Sequence, residues 1–226
     1  MSMVNERREE MKIFHEGDEI ISDRAYNMVL GGTIGWGVLV NVILCMFCGN
    51  FVDSVNPVIF LIAYFVCAIS GMFIAYRSSS PVVSFIGYNM VVVPVGLVIA
   101  SCVTAYGGIG SSVVAYAYLF TMIITGCMIA LSVIYPSFFS RIGGLLFSAL
   151  IGLMLCGLVS FLFGISTYWY AWAGAIIFSL YIGFDFWVSQ QYIKTVDNAV
   201  DSAVAIYLDI ANLFLKLLRI LGRKDD

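Results

Sequence analysis

Two aspartates near the C-terminus are the residues of this chain best placed to do chemistry. Asp185 and Asp209 lie 24 residues apart, each inside an otherwise apolar stretch of a chain that is 62% hydrophobic. A carboxylate deep in a bilayer costs about 2.5 to 3.5 kcal/mol on insertion scales, and such residues usually mark ion or proton pathways. We therefore expect the two aspartates to form an ion or proton site.

The chemistry of such a pair follows from its charges. Two carboxylates held within hydrogen-bonding distance cannot both ionise cheaply, so they share protons, titrate as a unit and can act as a proton switch. Calcium prefers several oxygen ligands at once, which Asp185, Asp209 and Asn212 could supply together with backbone carbonyls and water. The sequence indicates no second acidic cluster in the membrane. We therefore expect a weak calcium site that depends on these two aspartates.

The elements that carry these residues are predicted from hydropathy. Charged residues make up 11% of the chain, against roughly 25% in soluble domains, and the mean hydropathy is +0.99. About 20 apolar residues cross a bilayer as a helix, whereas barrel strands are shorter and alternate in polarity. We therefore predict an all-α membrane protein with seven transmembrane helices, at residues 28–50, 57–76, 82–104, 113–135, 142–164, 168–188 and 203–221.

The polar segments outside the seven apolar helices predict the domain division and the orientation of the chain in the membrane. Residues 1–27 form a polar N-terminal arm, and residues 28–226 form one seven-helix transmembrane domain. Arg77, Arg141 and Lys194 fall in the connections after the second, fourth and sixth helices, and cytoplasmic loops are the ones enriched in basic residues. The arm is therefore predicted to be cytoplasmic. Further basic residues near the C-terminus conflict with this pattern, so the seventh helix could either cross the membrane or re-enter it.

The predicted helices place three charges at one depth of the membrane. Asp185 lies near the cytoplasmic end of the sixth helix, and Asp209 lies about six residues, or about 9 Å, into the seventh. Arg77 ends the second helix on the same side. An arginine beside the pair would favour its ionised form and could bridge one carboxylate. We expect the three side chains to be able to meet.

The seventh helix carries a polar stripe. Ser202, Asp209, Asn212, Lys216 and Arg219 recur at three- and four-residue steps or their sum, which places them on one face of the helix. A polar stripe in lipid must face inward, so we expect this helix to be central and Ser202, Asn212 and Lys216 to be candidate lining residues of a pathway. For Lys216 and Arg219 the alternative is that their long side chains extend to the far membrane interface.

Other chemistry finds little support in the sequence. The single histidine, His15, lies in the polar arm, so intramembrane Ser-His catalysis has no base and we do not expect an enzyme. The six cysteines are scattered through the helices and are expected to pack rather than to bind metal. Small residues at four-residue spacing predict close helix packing; they are Gly31 with Gly35, and Gly144, Ser148 and Gly152.

Two strings near the C-terminus resemble a known family. FSLYIGFD at residues 178–185 and IYLDIANLFLKLLRILG at residues 206–222 are similar to the C-terminal signature of the Bax inhibitor family, the transmembrane Bax inhibitor motif proteins. The spacing between the two aspartates, the arginine after the second helix and the stretch YNMVLGGTIGWGVLVN fit the same family. The resemblance implies a fold in which two three-helix layers surround a central C-terminal helix.

The resemblance also implies a function. Bacterial members of the family are calcium-leak channels of the plasma membrane, gated by pH through a hydrogen-bonded aspartate pair and an arginine latch. By position, Asp185 and Asp209 resemble the pair, and Arg77 resembles the latch. Here the loop RSSSP offers one basic residue where the family leads us to expect a short basic cluster.

Three functions stay open at this point. The first is a pH-regulated calcium leak channel. The second is a proton-coupled transporter of a small solute, which would use the same carboxylates as a relay. The third is a non-conducting regulatory partner of other membrane proteins. In each case the expected partners are the lipid bilayer, calcium ions, protons and other membrane proteins, with no nucleic acid and no resident cofactor.

Overall fold

A computed structural model describes residues 19–163 and 168–222, and in this part of the chain the structure is helical without strands. Each predicted segment is an α-helix, and one short 3-10 helix, Val52–Ser54, follows the first. The helices are α1 (Asp23–Phe47), α2 (Pro57–Arg77), α3 (Pro81–Ala105), α4 (Ser112–Ile134), α5 (Pro136–Phe163), α6 (Tyr168–Ser189) and α7 (Val196–Leu221).

Local capping signals decide where helices begin. The Ser22 side chain accepts a hydrogen bond from the Ala25 amide, so α1 begins at Asp23 rather than at residue 28. Thr195 does the same for α7 by accepting from the Asn198 amide at 3.1 Å. A capping side chain satisfies amides that the first turn leaves without partners. These caps lengthen both helices beyond their apolar segments.

Two predicted boundaries were wrong in ways that matter for the charges. The seventh helix begins at Val196 instead of residue 203, so Asp197 and Asp201 belong to the helix rather than to a connection. The fifth begins at Pro136 instead of residue 142, which places Arg141 in its early turns. The predicted division at residue 28 falls inside α1, and residues 1–18 of the arm lie outside the described part of the chain.

The helices form two layers around α7. In the first layer α3 packs against both α1 and α2, and in the second layer α6 packs against both α4 and α5. The central helix α7 contacts α1 and α3 from the first layer and α4 and α6 from the second. The fold is therefore the one that the resemblance implied, with two three-helix layers around a central C-terminal helix.

The central helix is distinguished by its environment. Helices α1 to α6 are long and apolar enough to cross a membrane, and α7, which carries several charged residues, is not among them. Its apolar side chains are nevertheless among the most buried of the described residues, with Ala203, Ile206 and Leu213 at 0% exposure. A helix that carries charges can occupy the membrane interior when other helices shield it from lipid. The chain is thus a multi-pass membrane protein with a shielded seventh helix.

The path of α7 decides between crossing and re-entering. Near its start Asp197 contacts Ser84, in the first turn of α3, and after its end Gly222 packs directly on Tyr106, which follows α3. The helix is continuous over 26 residues, or about 39 Å. It therefore runs along the full length of α3, from one end of the bundle to the other.

The glycine stripes pack differently from the prediction. No atom lies within 4 Å of a Cβ built at Gly31, Gly35, Gly144 or Gly152, so the expected close packing at these positions was wrong. The close approach occurs instead where α2 meets α3, at the position of Gly87: a Cβ there would lie 2.6 Å from the Gly71 carbonyl oxygen. Spacing alone does not reveal which face of a helix meets a neighbour.

Candidate ion and proton site

The two aspartates meet between α6 and α7. The side chains of Asp185 and Asp209 are in hydrogen-bonding contact, Asp209 is 7% exposed and Asp185 is half-buried. Two carboxyl groups can share a hydrogen bond only when one of them carries the proton. The arrangement therefore holds a proton between two helices, and loss of that proton would leave two negative charges in contact.

Part of the pair has no partner. The second oxygen of Asp209, Oδ2, is buried and makes no hydrogen bond to any residue in the described part of the chain. A buried carboxylate oxygen left in this state is costly unless a proton or a cation occupies it. This oxygen is therefore open to a proton or a cation.

Two tyrosines lie near the pair. Tyr76, at the end of α2, lies within electrostatic range of Asp185, Asp209 and Asp201. Tyr181, one turn before Asp185 on α6, lies within range of both members of the pair. Phenols can donate hydrogen bonds to carboxylates without neutralising their charge. The site thus combines two carboxyl groups with two nearby phenols.

A second acidic cluster lies at the start of α7, contrary to the expectation from the sequence. The Ser84 hydroxyl lies 2.8 Å from Asp197 Oδ1 and 3.1 Å from the Ala75 carbonyl oxygen, and it also contacts the Asp201 side chain. Asp197 is 6% exposed, and Asp201 Oδ1 is buried with no partner in the described residues. One hydroxyl proton cannot serve three acceptors. The shared hydroxyl therefore joins the start of α7 to the end of α2 and the start of α3.

A sequence signal for this cluster existed. Asp197, Asp201 and Asp209 are separated by multiples of four residues, which places them close to one face of a helix. The apolar criterion set the start of the seventh helix after Asp201 and so excluded both upstream aspartates. The Thr195 cap was the signal that would have included them.

The candidate lining residues have partners of their own. The Ser202 hydroxyl lies 3.0 Å from the Tyr26 hydroxyl of α1, and Asn212 Nδ2 donates to the Leu208 carbonyl of its own helix at 2.8 Å. Lys216 Nζ lies 3.8 Å from the centroid of the Tyr170 ring, at the start of α6. The Ser202 contact packs α7 against α1, and the Lys216 contact packs it against α6. The lining role of the three residues stays a prediction.

Arg77 does not reach the pair in this structure. Its side chain is exposed, and the guanidinium carbon lies 5.9 Å from the centroid of the Phe73 ring on the same helix. We observe no ion pair between Arg77 and a carboxylate of residues 19–163 and 168–222. Its neighbour Tyr76 nevertheless lies near Asp185 and Asp209, so the end of α2 adjoins the site. The latch role stays a prediction.

The connection between α6 and α7 is fastened to α1. The Tyr26 hydroxyl donates to the Ser189 carbonyl at 2.9 Å, and the Lys194 carbonyl accepts from the Ile21 amide at 2.8 Å. Lys194 Nζ lies 4.3 Å from the centroid of the Tyr26 ring and donates to the Gln190 carbonyl at 3.0 Å. Burial lowers the pKa of Lys194. These contacts fix the ends of the two helices that carry the pair.

The donor set limits what metal the site can hold. No group of three or more histidine, cysteine, aspartate or glutamate side chains suited to a metal ion is found in the described residues. Calcium at the pair would need oxygens beyond the two carboxylates, from backbone or water. A weak calcium site that depends on the two aspartates stays a prediction.

Comparison with known proteins agrees with the geometry. A family model described as "Inhibitor of apoptosis-promoting Bax1" matches residues 21–226. An uncharacterized protein of Helicobacter pylori (strain J99) is 35% identical over 123 residues, which cover 53% of this chain and 51% of that protein. The chain thus spans about half the length of this curated relative.

Eukaryotic relatives match over shorter stretches. Bax inhibitor 1 of Saccharomyces cerevisiae is 41% identical over 78 residues, covering 31% of this chain and 25% of that protein. A BI1-like protein of Arabidopsis thaliana is 38% identical over 93 residues, covering 39% of this chain and 35% of that protein. The family model covers more of the chain than any of these three relatives does.

Proposed function

The chain belongs to the Bax inhibitor family, and from that membership we propose that it is a pH-regulated calcium leak channel with Asp185 and Asp209 as proton sensor and ion-pathway residues. The observation that carries the proposal is the buried contact between these two carboxyl groups on adjacent helices. We place the protein in a bacterial plasma membrane with its N-terminus in the cytoplasm. Relatives in Helicobacter pylori and the positions of the basic residues support that placement.

The pair can couple proton binding to helix packing. With one shared proton, a hydrogen bond joins α6 to α7. Without it, two like charges repel each other in a poorly solvated site, while their attraction for a divalent cation rises. Titration of the pair therefore changes both the force between two helices and the affinity of the pathway for calcium.

Polar groups connect the pair to one end of the bundle. From Asp209 the series continues through the Tyr76 hydroxyl and Asp201 to Ser84 and Asp197, at the start of α3 and α7. This is the end that the basic residues predict to be cytoplasmic. The series offers oxygen ligands along a route into an otherwise apolar bundle, and it supports an ion route on this side of α7.

In this proposal the protein conducts ions and does not catalyse a reaction. We propose that calcium and protons are its cargo and signal, that no resident cofactor is needed, and that the bilayer and other membrane proteins are its partners. Asp197 and Asp201 are added to the residues predicted from sequence, as acidic groups at the cytoplasmic mouth of the route.

Flux into liposomes tests the proposal. Purified protein would be reconstituted into vesicles that contain a calcium-sensitive dye, and calcium entry down its gradient would be recorded across a pH series. A leak channel gives pH-dependent downhill calcium entry that needs no proton gradient. Uphill solute accumulation driven by protons would replace the proposal with a transporter, and absence of both fluxes would replace it with a regulatory partner.

A further inference from the structure

A cavity of about 440 Å³ lies between the two layers, on the side of α7 away from the pair. Its wall comes from α1 and α3 of the first layer, α4 of the second, and α7. The lining includes Val38, Ile99, Tyr118, Tyr207 and Phe214. We propose that this cavity holds the acyl chain of a membrane lipid, a binding site separate from the ion pathway and independent of the function proposed above.

The wall chemistry favours hydrocarbon. Two polar groups of the wall are engaged: the Tyr207 hydroxyl donates to Asn41 Oδ1 at 3.0 Å, and the Thr121 hydroxyl donates to the Ala117 carbonyl at 2.7 Å. The Thr125 hydroxyl, also in the wall, is buried and makes no hydrogen bond to the described residues, while most of the remaining lining is apolar. No charged residue lines this cavity, whose wall lies wholly in the described part of the chain. Apolar cavities stay dry and accept apolar ligands, whereas an ion would lose its hydration without replacement.

The position on α7 separates the cavity from the aspartate pair. Asp209 and Tyr207 are two residues apart, which is about 200° around an α-helix. Tyr207 contributes to the cavity wall, while Asp209 contacts Asp185 on α6. The two sites therefore lie on nearly opposite faces of the same helix, and an occupant of one does not enter the other.

The mouth of the cavity opens onto the lipid-facing surface. It lies between α1 and α4, which belong to different layers. Gly35 on α1 and Gly126 on α4 both line the cavity, and nothing lies within 4 Å of a Cβ built at either position. Next to them Met122 is 71% exposed and Leu39 is 51% exposed. Because this surface faces acyl chains in a membrane, the nearest available occupant is a lipid tail.

The volume suits such an occupant. Ligand sites in proteins typically measure about 300 to 1,000 Å³ and are mainly apolar. A chain inserted here would contact α1 and α4 at once and fill the space between two layers that otherwise meet mainly through α7. Filling an apolar void with matching carbon adds dispersion contacts that the empty wall lacks.

Photolabelling from the lipid phase tests the site. The full chain would be reconstituted into bilayers that contain a phospholipid with a diazirine on its acyl chain, irradiated, digested and analysed by mass spectrometry. The expected result is a label on Tyr207 or Phe214 of α7, which are 1% and 3% exposed and reachable by a lipid tail only through the cavity. Labels confined to exposed positions such as Leu39 and Leu119 would overturn the proposal.

Two variants of α1 test whether the lipid tail enters the cavity between α1 and α4. Gly35→Phe places a ring in the mouth and should abolish the α7 label, while labels at exposed positions remain. Gly32→Phe is the matched control, because Gly32 also has open space around its Cβ position but does not line the cavity. If Gly35→Phe does not fold, Gly126→Phe closes the opposite rim. An α7 label that survives closure of the mouth, or that Gly32→Phe also removes, contradicts entry between α1 and α4.

Discussion

The hydroxyl of Ser84 donates a 2.8 Å hydrogen bond to the carboxylate of Asp197, joining the start of α3 to the start of α7. Both side chains are buried, at 0% and 6% exposure. A buried hydrogen bond to a carboxylate stabilises the fold more than an exposed one does. When the donor is removed, the buried carboxylate loses a hydrogen bond that water cannot replace. This contact therefore fixes the first layer to the central helix at the end where the acidic groups gather.

Replacing Ser84 tests that contact. Ser84→Ala should lower the free energy of unfolding by about 1 to 3 kcal/mol, since Asp197 and Asp201 lose their shared donor. The measurement is thermal unfolding in detergent. Ser148→Ala is the matched control, because its exposed hydroxyl contacts only the Gly144 carbonyl of its own helix. Equal melting temperatures for the two variants would contradict the importance of the contact.

The aspartate pair should control both flux and its pH dependence. Asp209→Asn should suppress calcium entry into liposomes, because it removes the buried negative charge that would meet the ion. Asp185→Asn should flatten the pH profile, because one titrating carboxyl cannot share a proton with another. Asp23→Asn, an exposed aspartate at the start of α1, serves as control. Parent-like flux and pH profile in both pair variants would remove the pair from the site.

Substitutions of Arg77 test the predicted latch. Arg77→Ala should leak more calcium than the parent at the pH where the parent is mostly shut, because the predicted bridge from Arg77 to one carboxylate of the pair would hold the closed state. Arg77→Lys should give an intermediate leak, since lysine keeps the charge but loses the bidentate geometry. A leak equal to that of the parent across the whole pH series would leave Arg77 as an anchor at the membrane interface.

The contact between α2 and α3 depends on two glycines. Gly87→Ala should destabilise the protein by about 1 to 3 kcal/mol, because its Cβ would lie 2.6 Å from the Gly71 carbonyl oxygen and would force the helices apart. Gly144→Ala has open space and should match the parent or exceed it slightly. Thermal unfolding of the two variants, measured side by side, decides the matter. The reverse order of stability would refute the packing described for α2 and α3.

Labelling of single cysteines tests the orientation. In a background free of native cysteines, Ser111→Cys between α3 and α4 and Arg219→Cys near the end of α7 should react with an impermeant thiol reagent added outside, because α7 crosses the bundle. Ser79→Cys, between α2 and α3, should react only after the membrane is opened. The opposite pattern would invert the orientation, and protection of both Ser111→Cys and Ser79→Cys would leave no accessible loop to support it.

The sequence by itself determined the helices and the main pair. Hydropathy is a local property of the chain, so segments of about 20 apolar residues predict membrane helices without knowledge of their neighbours. Asp185 and Asp209 stood out because a charge in such a segment is costly wherever the helix packs. The polar stripe of α7 likewise predicted that this helix is central, which the 0% exposure of Ala203 and Leu213 confirms.

The tertiary structure decided which of those residues meet. The Thr195 cap and the burial of Asp197 created a second acidic cluster that the hydropathy of the segment concealed. Contacts at both ends of α3 showed that α7 crosses the bundle, a choice that the basic residues left open. Gly31 and Gly35 have the spacing typical of packed helices, yet both face outward. Spacing shows that two residues share a helix face, but it does not show whether another helix packs against that face. The cavity beside Tyr207 likewise exists only where four separate helices fail to fill the space between them.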